Sequence, residues 1–249
     1  METVEKNDFN HIRDITIVIA ALNEANNLKQ VLPRIPSKIC GLNTGILLVD
    51  DGSKDQTKEL DKVYDIGFVP IPISLGQGAA LRLGYQLALA GGAKIVVTMD
   101  ADGQHRPEEI ERLVAPIIDD TADFVIGSRI LGKYEPDDAI RLCGVLVFSQ
   151  LLSILLGMKI TDCSNGFRAI RANVLDAVVS SLVQKQFHTS ELLIIVAKRG
   201  YKIIEVPMTC LKRISGKSKK GNNLYFGLSF AKAMLSTWLR EYCQTKNKH

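Results

Sequence analysis

The sequence predicts an α/β protein: a single, mainly parallel sheet flanked by helices. Three observations lead there. Apolar runs of strand length, ITIVIAAL at 15–22, TGILLV at 44–49 and IVVT at 95–98, are continuous rather than alternating, as strands covered on both faces require. Stretches with helical spacing or helix-opening signals separate them, giving the βαβαβ rhythm of a parallel sheet. Finally, three strands break off in acids or amides: Asn23-Glu24, Asp50-Asp51, and Asp100 with Asp102. In open parallel sheets such strand ends share one edge, where ligands bind.

The elements follow in order. After the first strand, NEANNLKQVLPRI has helical spacing at Leu28, Val31 and Leu32. After the second, Ser53 or Asp55 is suited to cap a helix. GFVPIPIS is a weaker strand, because Pro70 and Pro72 cannot donate to a ladder, and it belongs at or near an edge. LGQGAALRLGYQLALAGG is a helix opened by glycine. The strand at 95–99 precedes a helix that Pro107 can start, and DFVIGS at 123–128 is the next strand. Beyond residue 130 the rhythm changes. An apolar helix over about 139–157 leads into TDCSNGFRAIRANVLDAV, read as a turn, a short strand and a helix. SELLIIVAKRG is a helix ended by Gly200, YKIIEVPM a strand, CLKRISGKSKKGNN a basic loop, and LYFGLSFAKAMLSTWLREY a last amphipathic helix. No repeat or linker interrupts the chain, so residues 1–249 form one domain.

Composition sets further bounds. With 249 residues, 46% of them hydrophobic and 23% charged, the chain buries a sizeable core. A net charge of +4 is too mild to point to nucleic acid. The five cysteines are scattered and odd in number, which argues against a disulfide framework or zinc site and for a reduced, cytoplasmic setting. The opening METVEKNDFNHIRD has no apolar core of a secretory signal. The segment 142–158 carries no charge and lies at the lower limit for a spanning helix, about 17–25 residues. Its serines, glutamine and glycines favour a buried or interfacial helix.

Glu24, Asp50, Asp51, Asp100 and Asp102 on one edge repel one another unless a ligand offsets them. Singly, each is accounted for as a helix cap; acids at three strand ends of one sheet argue for a ligand edge. An Asp-x-Asp pair suits a hard divalent cation holding a diphosphate. Gln104 adds a neutral oxygen, and His105 reads as a ligand or as a partner of the carboxylates. A dinucleotide site is disfavoured, since the third glycine after Gly76 and Gly78 would fall at Leu81.

In order along the chain stand ALNEANNL, LLVDDGSKDQT, LGQGAALRLGY, MDADGQH, VIGSR, TDCSNGFRA and KRISGKSKK. Together they resemble the inverting family 2 glycosyltransferases, most of all the polyprenyl-phosphate sugar transferases of the dolichyl-phosphate mannose synthase type, over roughly residues 14–220. The resemblance implies a GT-A type fold for nucleotide-diphospho-sugar transfer. Residues 14–130 then hold nucleotide sugar and metal, and 131–249 meet acceptor and membrane interface. It implies a donor site of Ala21, Leu22, Glu24, Asp50, Asp51, Gly78, Asp100 and Ala101. It leaves open which of Asp50 and Asp51 meets the base. It assigns Mg²⁺ or Mn²⁺ to Asp100, Asp102 and Gln104, phosphate binding to Arg129, Arg141, Arg213 and Ser218, and catalysis to Asp102, Arg129 and Arg213. Ala20 and Ser74 stand where the family commonly has Pro and Asn. Where mannose synthases place a serine four residues after the arginine of the apolar helix, Arg141 is followed by Val145.

The implied partners are a nucleotide diphosphate sugar (GDP-mannose first, a UDP-sugar second), a polyprenyl phosphate and the cytoplasmic membrane surface. A small membrane-spanning subunit would serve as anchor. A phosphate acceptor is already an anion, so it needs guanidinium groups rather than a base. The rival enzyme reading, transfer to a saccharide or other hydroxyl, needs a base, for which Glu191 is the candidate. A nucleotide-binding regulatory subunit is disfavoured by the intact Asp100-x-Asp102 and Arg129.

Overall fold

The structure, a computed structural model, describes residues 10–135, 139–215 and 223–246, except for a few side chains within helices. At its centre lies β1 (Ile15–Ala21), buried at every position as its unbroken apolar run requires. β3 (Leu42–Asp50) and β5 (Ile95–Thr98) run parallel to it on either side. β4 (Gly67–Pro70) pairs with β3 alone, at the edge where its prolines placed it. β2 (Lys38–Ile39) forms a small antiparallel hairpin with the start of β3, turned by Cys40 and Gly41, both at positive φ. Beyond β5 lie β7 (Arg168–Arg171), β6 (Phe124–Tyr134) and β8 (Ile203–Cys210). β6 and β8 are parallel to each other; β7 is antiparallel to both β5 and β6. The sheet is therefore mixed but mainly parallel. Because Arg168 pairs with Thr98 at the end of β5, β7 starts at the carboxyl edge, and the turn before it lies on the ligand rim.

Alternate residues of the central strands feed two cores. Ile15, Ile17, Ile19, Leu48 and Val97 pack with α1 (Ala25–Val31) and α3 (Ile110–Ile118). Val18, Val49 and Val96 pack with α2 (Gln77–Ala90), α5 (Ala172–Val179) and α6 (His188–Lys198). The segment after β3 is a 3₁₀ stretch, Gln56–Lys62, rather than an α-helix, and Asp55 caps it by accepting the Thr57 N–H at 3.0 Å. β6 runs past the expected end at 128 because β8 continues to pair with it beyond an irregularity between Ser128 and Lys133.

α4 (Ala139–Leu156) and α7 (Asn223–Lys246) pack on one another. The rings of Phe148 and Phe230 lie 5.0 Å apart, and Trp238 Nε1 donates to the Leu155 carbonyl at 2.9 Å. Phe230 and Met234 join the core, whereas Tyr225, Leu228, Leu235 and Leu239 are exposed, as are Ile140, Leu146, Val147 and Ile154 of α4. Each helix is thus half core and half apolar surface. Among the described residues no helix is long and apolar enough to cross a membrane.

Candidate active site

The rim begins where β1 and β3 end side by side, Ala21 opposite Asp50. The two loops are laced together. Asn23, at φ +53, accepts the Lys54 N–H at 2.7 Å and donates its own N–H to Ser53 Oγ at 2.7 Å. Glu24 N–H donates to Thr57 Oγ1, and Ala25 N–H to Asp55. The Ala21 carbonyl accepts the Asp51 N–H at 2.8 Å, and Leu22 stands half-buried beside it. The two aspartates differ in their work. Asp51 accepts from Ser74 Oγ and from the N–H groups of Leu75 and Gly76, at 2.7, 2.7 and 3.0 Å, so it anchors the turn before α2. Asp50 accepts the Ser53 N–H at 3.1 Å.

Asp100 and Asp102 follow β5. Asp100 N–H donates to His105 Nδ1 at 3.2 Å, so the proton of a neutral ring sits on Nε2, which faces Asn165 Oδ1 at 3.0 Å. His105 is buried against the Phe167 ring and supports the loop instead of presenting a lone pair. Gln77 Nε2 donates to Asp100 Oδ1 at 3.0 Å, and Gly166 abuts the same carboxylate: a Cβ there would stand 2.7 Å from Oδ1. Asp102 accepts the Gln104 N–H at 3.1 Å, while Gln104 Nε2 donates to the Leu211 carbonyl. Burial, then the charge of Asp100, pushes the Asp102 carboxyl above the usual range. Two crowded carboxylates and an amide are the donor set a hard cation takes. Among the described residues no group of three or more His, Cys, Asp or Glu converges.

Over this loop folds the segment after β8. His105 and Cys210 form an antiparallel bridge, and Leu211 N–H donates to the Gln104 carbonyl at 2.9 Å. Arg213 then reaches across the rim. Its guanidinium bonds Glu24 Oε1 and lies 3.3 Å from Asp102 Oδ2, with Nε on the Ser215 carbonyl. Asn27 braces the arrangement, donating to Glu24 Oε2 at 2.6 Å and accepting from Ser215 Oγ at 2.7 Å. In this state Arg213 is counter-charge for two rim acids, where the sequence assigned it to phosphate.

A second arm lies across β7. Arg129, the phosphate and catalytic candidate of β6, forms an ion pair with fully buried Asp162: Nε to Oδ2 at 2.6 Å and Nη2 to Oδ1 at 3.3 Å. Burial works against its charge, but Asp162 outweighs it and raises the pKa. The guanidinium that the sequence assigned to phosphate is thus oriented by a buried carboxylate. Glu205 of β8 fixes the turn from behind, accepting from Thr161 N–H, Thr161 Oγ1 and Asp162 N–H at 2.7, 2.8 and 2.8 Å. Beside this arm opens a pocket of about 580 Å³ between Ile130, Thr161 and the α4 residues Leu146, Ser149, Ser153 and Ile154.

Other expectations need correction. Gly78, assigned to the donor, packs against the 184–185 backbone: its N–H donates to the Lys185 carbonyl at 2.7 Å, and a Cβ would stand 2.2 Å from the Gln184 oxygen. The Ala101 side chain is buried in the core beside α3. The candidate base Glu191 is buried, and its carboxylate is engaged, accepting the Val183 and Gln184 N–H groups at 3.0 and 2.9 Å and pairing with Arg240. Ser218, with Lys217, Lys219 and Lys220, lies outside the described residues, as does the side chain of Arg141. Sequence reasoning gave no role to Gln77, Asp162, Asn165 or Gly166, although all four stand inside the quoted motifs. No local signal marks Glu205.

A mainly parallel sheet whose rim gathers an Asp-x-Asp pair, further acids and guanidinium groups has the architecture of the GT-A-like nucleotide-sugar transferase fold. The model of glycosyl transferase family 2 matches residues 16–179, and the chain belongs to that family. It is 33% identical over 226 residues to the polyprenol monophosphomannose synthase of Mycolicibacterium smegmatis, covering 84% of this chain and 82% of that one. It is 32% identical over 214 residues to a UDP-N-acetylglucosamine–dolichyl-phosphate N-acetylglucosaminyltransferase of Methanococcus voltae, covering 78% and 84%. Among solved structures, glucosyl-3-phosphoglycerate synthase of Mycobacterium tuberculosis, bound to Mn²⁺, UDP and glucosyl-3-phosphoglycerate, shares the fold. The TM-score is 0.67 at 20% identity, over 92% of this chain and 80% of the other.

Proposed function

We propose that this glycosyltransferase moves a sugar, with mannose from GDP-mannose the first candidate, onto a polyprenyl phosphate at the cytoplasmic face of a membrane. The observation that carries the reading is the pairing of two arms on one rim. Asp100 and Asp102 offer hard oxygens for the donor side, and Arg129 is held by Asp162 beside an apolar pocket for the acceptor side. Mg²⁺ or Mn²⁺, held by Asp100, Asp102 and Gln104, would offset the charge that builds on the diphosphate leaving group. Asp50 is left to take ribose or base, because Asp51 is committed to the 74–76 turn.

The acceptor phosphate oxygen attacks the anomeric carbon, the bond to the diphosphate breaks, and its electron pair leaves with the nucleotide. No proton is removed, which agrees with the engagement of Glu191 elsewhere. Arg129 orients the incoming phosphate, and Arg213, released from Glu24 and Asp102 when a cationic counter-charge arrives, adds a second guanidinium. The exposed apolar faces of α4 and α7 support peripheral contact with a bilayer, with a small membrane-spanning subunit as the alternative anchor.

The test incubates the protein and Mn²⁺ with labelled GDP-mannose, UDP-glucose or UDP-N-acetylglucosamine and undecaprenyl phosphate. Label entering the organic phase from one donor is the expected result. Label found only in water-soluble product would overturn the acceptor assignment in favour of a hydroxyl.

A further inference from the structure

We propose that the turn TDCSNGFR, residues 161–168, is a two-sided positioning element. Through Asn165 and Gly166 it sets the Asp100 loop for the donor diphosphate. Through Asp162 it sets Arg129 for the acceptor. One short segment thus fixes the distance between the two substrates. The inference rests on the functional reading above and adds the residues that align its two halves.

The topology makes this arrangement available. β7 is antiparallel and starts at the carboxyl edge between β5 and β6, so the turn that enters it is wedged between the strand bearing Asp100 and the strand bearing Arg129. On the donor side, Asn165 Oδ1 accepts the His105 Nε2 proton at 3.0 Å, and His105 Nδ1 accepts the Asp100 N–H at 3.2 Å. The next residue, Gly166, has its α-carbon against the Asp100 carboxylate. On the acceptor side, Asp162 takes three N–H groups of Arg129, its backbone N–H among them. Asn165 also crosses to that side, its Nδ2 donating to the carbonyl of Gly127, two residues before Arg129.

The turn is anchored from three directions, two of them by charged groups. Arg168 is buried and spends its guanidinium on the carbonyls of Asn165 at 2.6 Å, Cys163 at 2.9 Å and Thr189. Glu205 binds Thr161 and the Asp162 N–H, and Ser128 Oγ meets Thr161 Oγ1 at 2.6 Å. A buried arginine whose hydrogen bonds run to backbone carbonyls, two in this turn and one in α6, is costly to install unless it holds the turn in one shape against that helix. Misplacing reacting groups by about 1 Å costs on the order of 10²-fold in rate, the scale of penalty such a frame prevents.

The test uses two variants of the full chain. Gly166→Ala displaces the Asp100 carboxylate and leaves the Asn165 bond to Gly127 in place, and Asp162→Asn keeps the shape but halves the acceptors offered to Arg129. Calorimetry measures Mn²⁺-dependent binding of whichever of GDP and UDP the wild-type protein takes. Kinetics measure KM for undecaprenyl phosphate, and thermal melting reports the fold. Gly166→Ala is expected to weaken Mn²⁺-dependent nucleotide binding about tenfold with acceptor KM within about twofold, and Asp162→Asn the reverse. Parallel loss of both constants in each variant, or a lowered melting temperature with neither constant moved, overturns the proposal. Should Gly166→Ala fail to fold, His105→Ala, which removes the acceptor of the Asp100 N–H, takes its place in the binding measurement. A wild-type protein that uses no polyprenyl phosphate defeats the functional reading alone, because the nucleotide-binding arm still decides the donor half of this inference.

Discussion

Replacing Gly166 with alanine adds one methyl group facing the Asp100 carboxylate. The new Cβ would stand 2.7 Å from Oδ1 and 2.9 Å from Oδ2, against about 3.4 Å for ordinary contact, so the carboxylate must retreat by about 0.7 Å. Gly166 is not among the residues at positive φ, so alanine can adopt its backbone without strain. The obstacle is the mobile end of one side chain, and the change also restricts the unfolded chain, worth about 0.4–1 kcal/mol in favour of folding. Stability should therefore move by less than about 1 kcal/mol, or about 2–4 °C in melting temperature for a chain of this size. Function should move far more. The retreat stretches the 3.0 Å bond from Gln77 and shifts an oxygen that, in the proposed function, would hold the diphosphate's cation. A displacement of this size costs on the order of 10–100-fold in turnover. The assay pairs a melting curve with sugar transfer across an Mn²⁺ titration. Transfer and Mn²⁺ half-saturation within twofold of wild type would refute the claim that Gly166 keeps Asp100 in place.

Other expectations follow from the same geometry. Gly78→Ala drives a Cβ to 2.2 Å from the Gln184 backbone oxygen, which cannot swing away, and should cost about 2–3 kcal/mol, seen as a lower denaturation midpoint with nucleotide affinity unchanged in the folded fraction. Glu191→Gln should lower the melting temperature while kcat/KM at 25 °C stays within about threefold; a loss beyond about 100-fold would restore Glu191 as a base. Tyr85 is fully buried on Thr98, and burial raises its hydroxyl from 10.0 to about 12. The unfolded chain loses that proton first, so stability should fall as pH rises from 10 to 12, by on the order of 2 kcal/mol in full. Denaturation of Tyr85→Phe at pH 9 and 11 should show a shallower decline, and an equal decline would contradict the assignment. Burial pushes the thiols of Cys163 and Cys210 up to about 11, so native protein at pH 8 should resist iodoacetamide at both, as peptide mapping can check.

Much of the fold was legible because the signals were local. Ile15–Ala21 is a continuous apolar run and became the central strand; Pro70 and Pro72 marked the edge strand. The antiparallel placement of Arg168–Arg171 was not legible, since RAIR carries no mark of direction; that was decided by the path of α4, which returns the chain to the carboxyl edge. The acids of the rim were found because type and spacing announce them. Their partners were not, for a physical reason. Glu205 contacts Thr161 and Asp162 across more than forty positions of sequence, and Asp162 reaches Arg129 across thirty-three. Such pairs exist only once the strands are ordered. Gly78 shows the opposite error, because a glycine before a helix reads equally as phosphate cradle or as close backbone packing, and the 182–185 loop, remote in sequence, made it the latter.

The position of Arg213 carries the physical argument one step further. Crowded rim acids repel one another unless something offsets them, and the fold places a guanidinium between Glu24 and Asp102. In the proposed function, a donor arriving with a divalent ion would bring a competing positive charge to Asp102 and weaken the pair that holds Arg213. The arginine would then be available to an anion once the donor is in place. Donor before acceptor is the binding order this exchange favours, because an acceptor phosphate that came first would have to draw Arg213 away from two carboxylates and leave Asp100 and Asp102 to repel each other in a partly buried site.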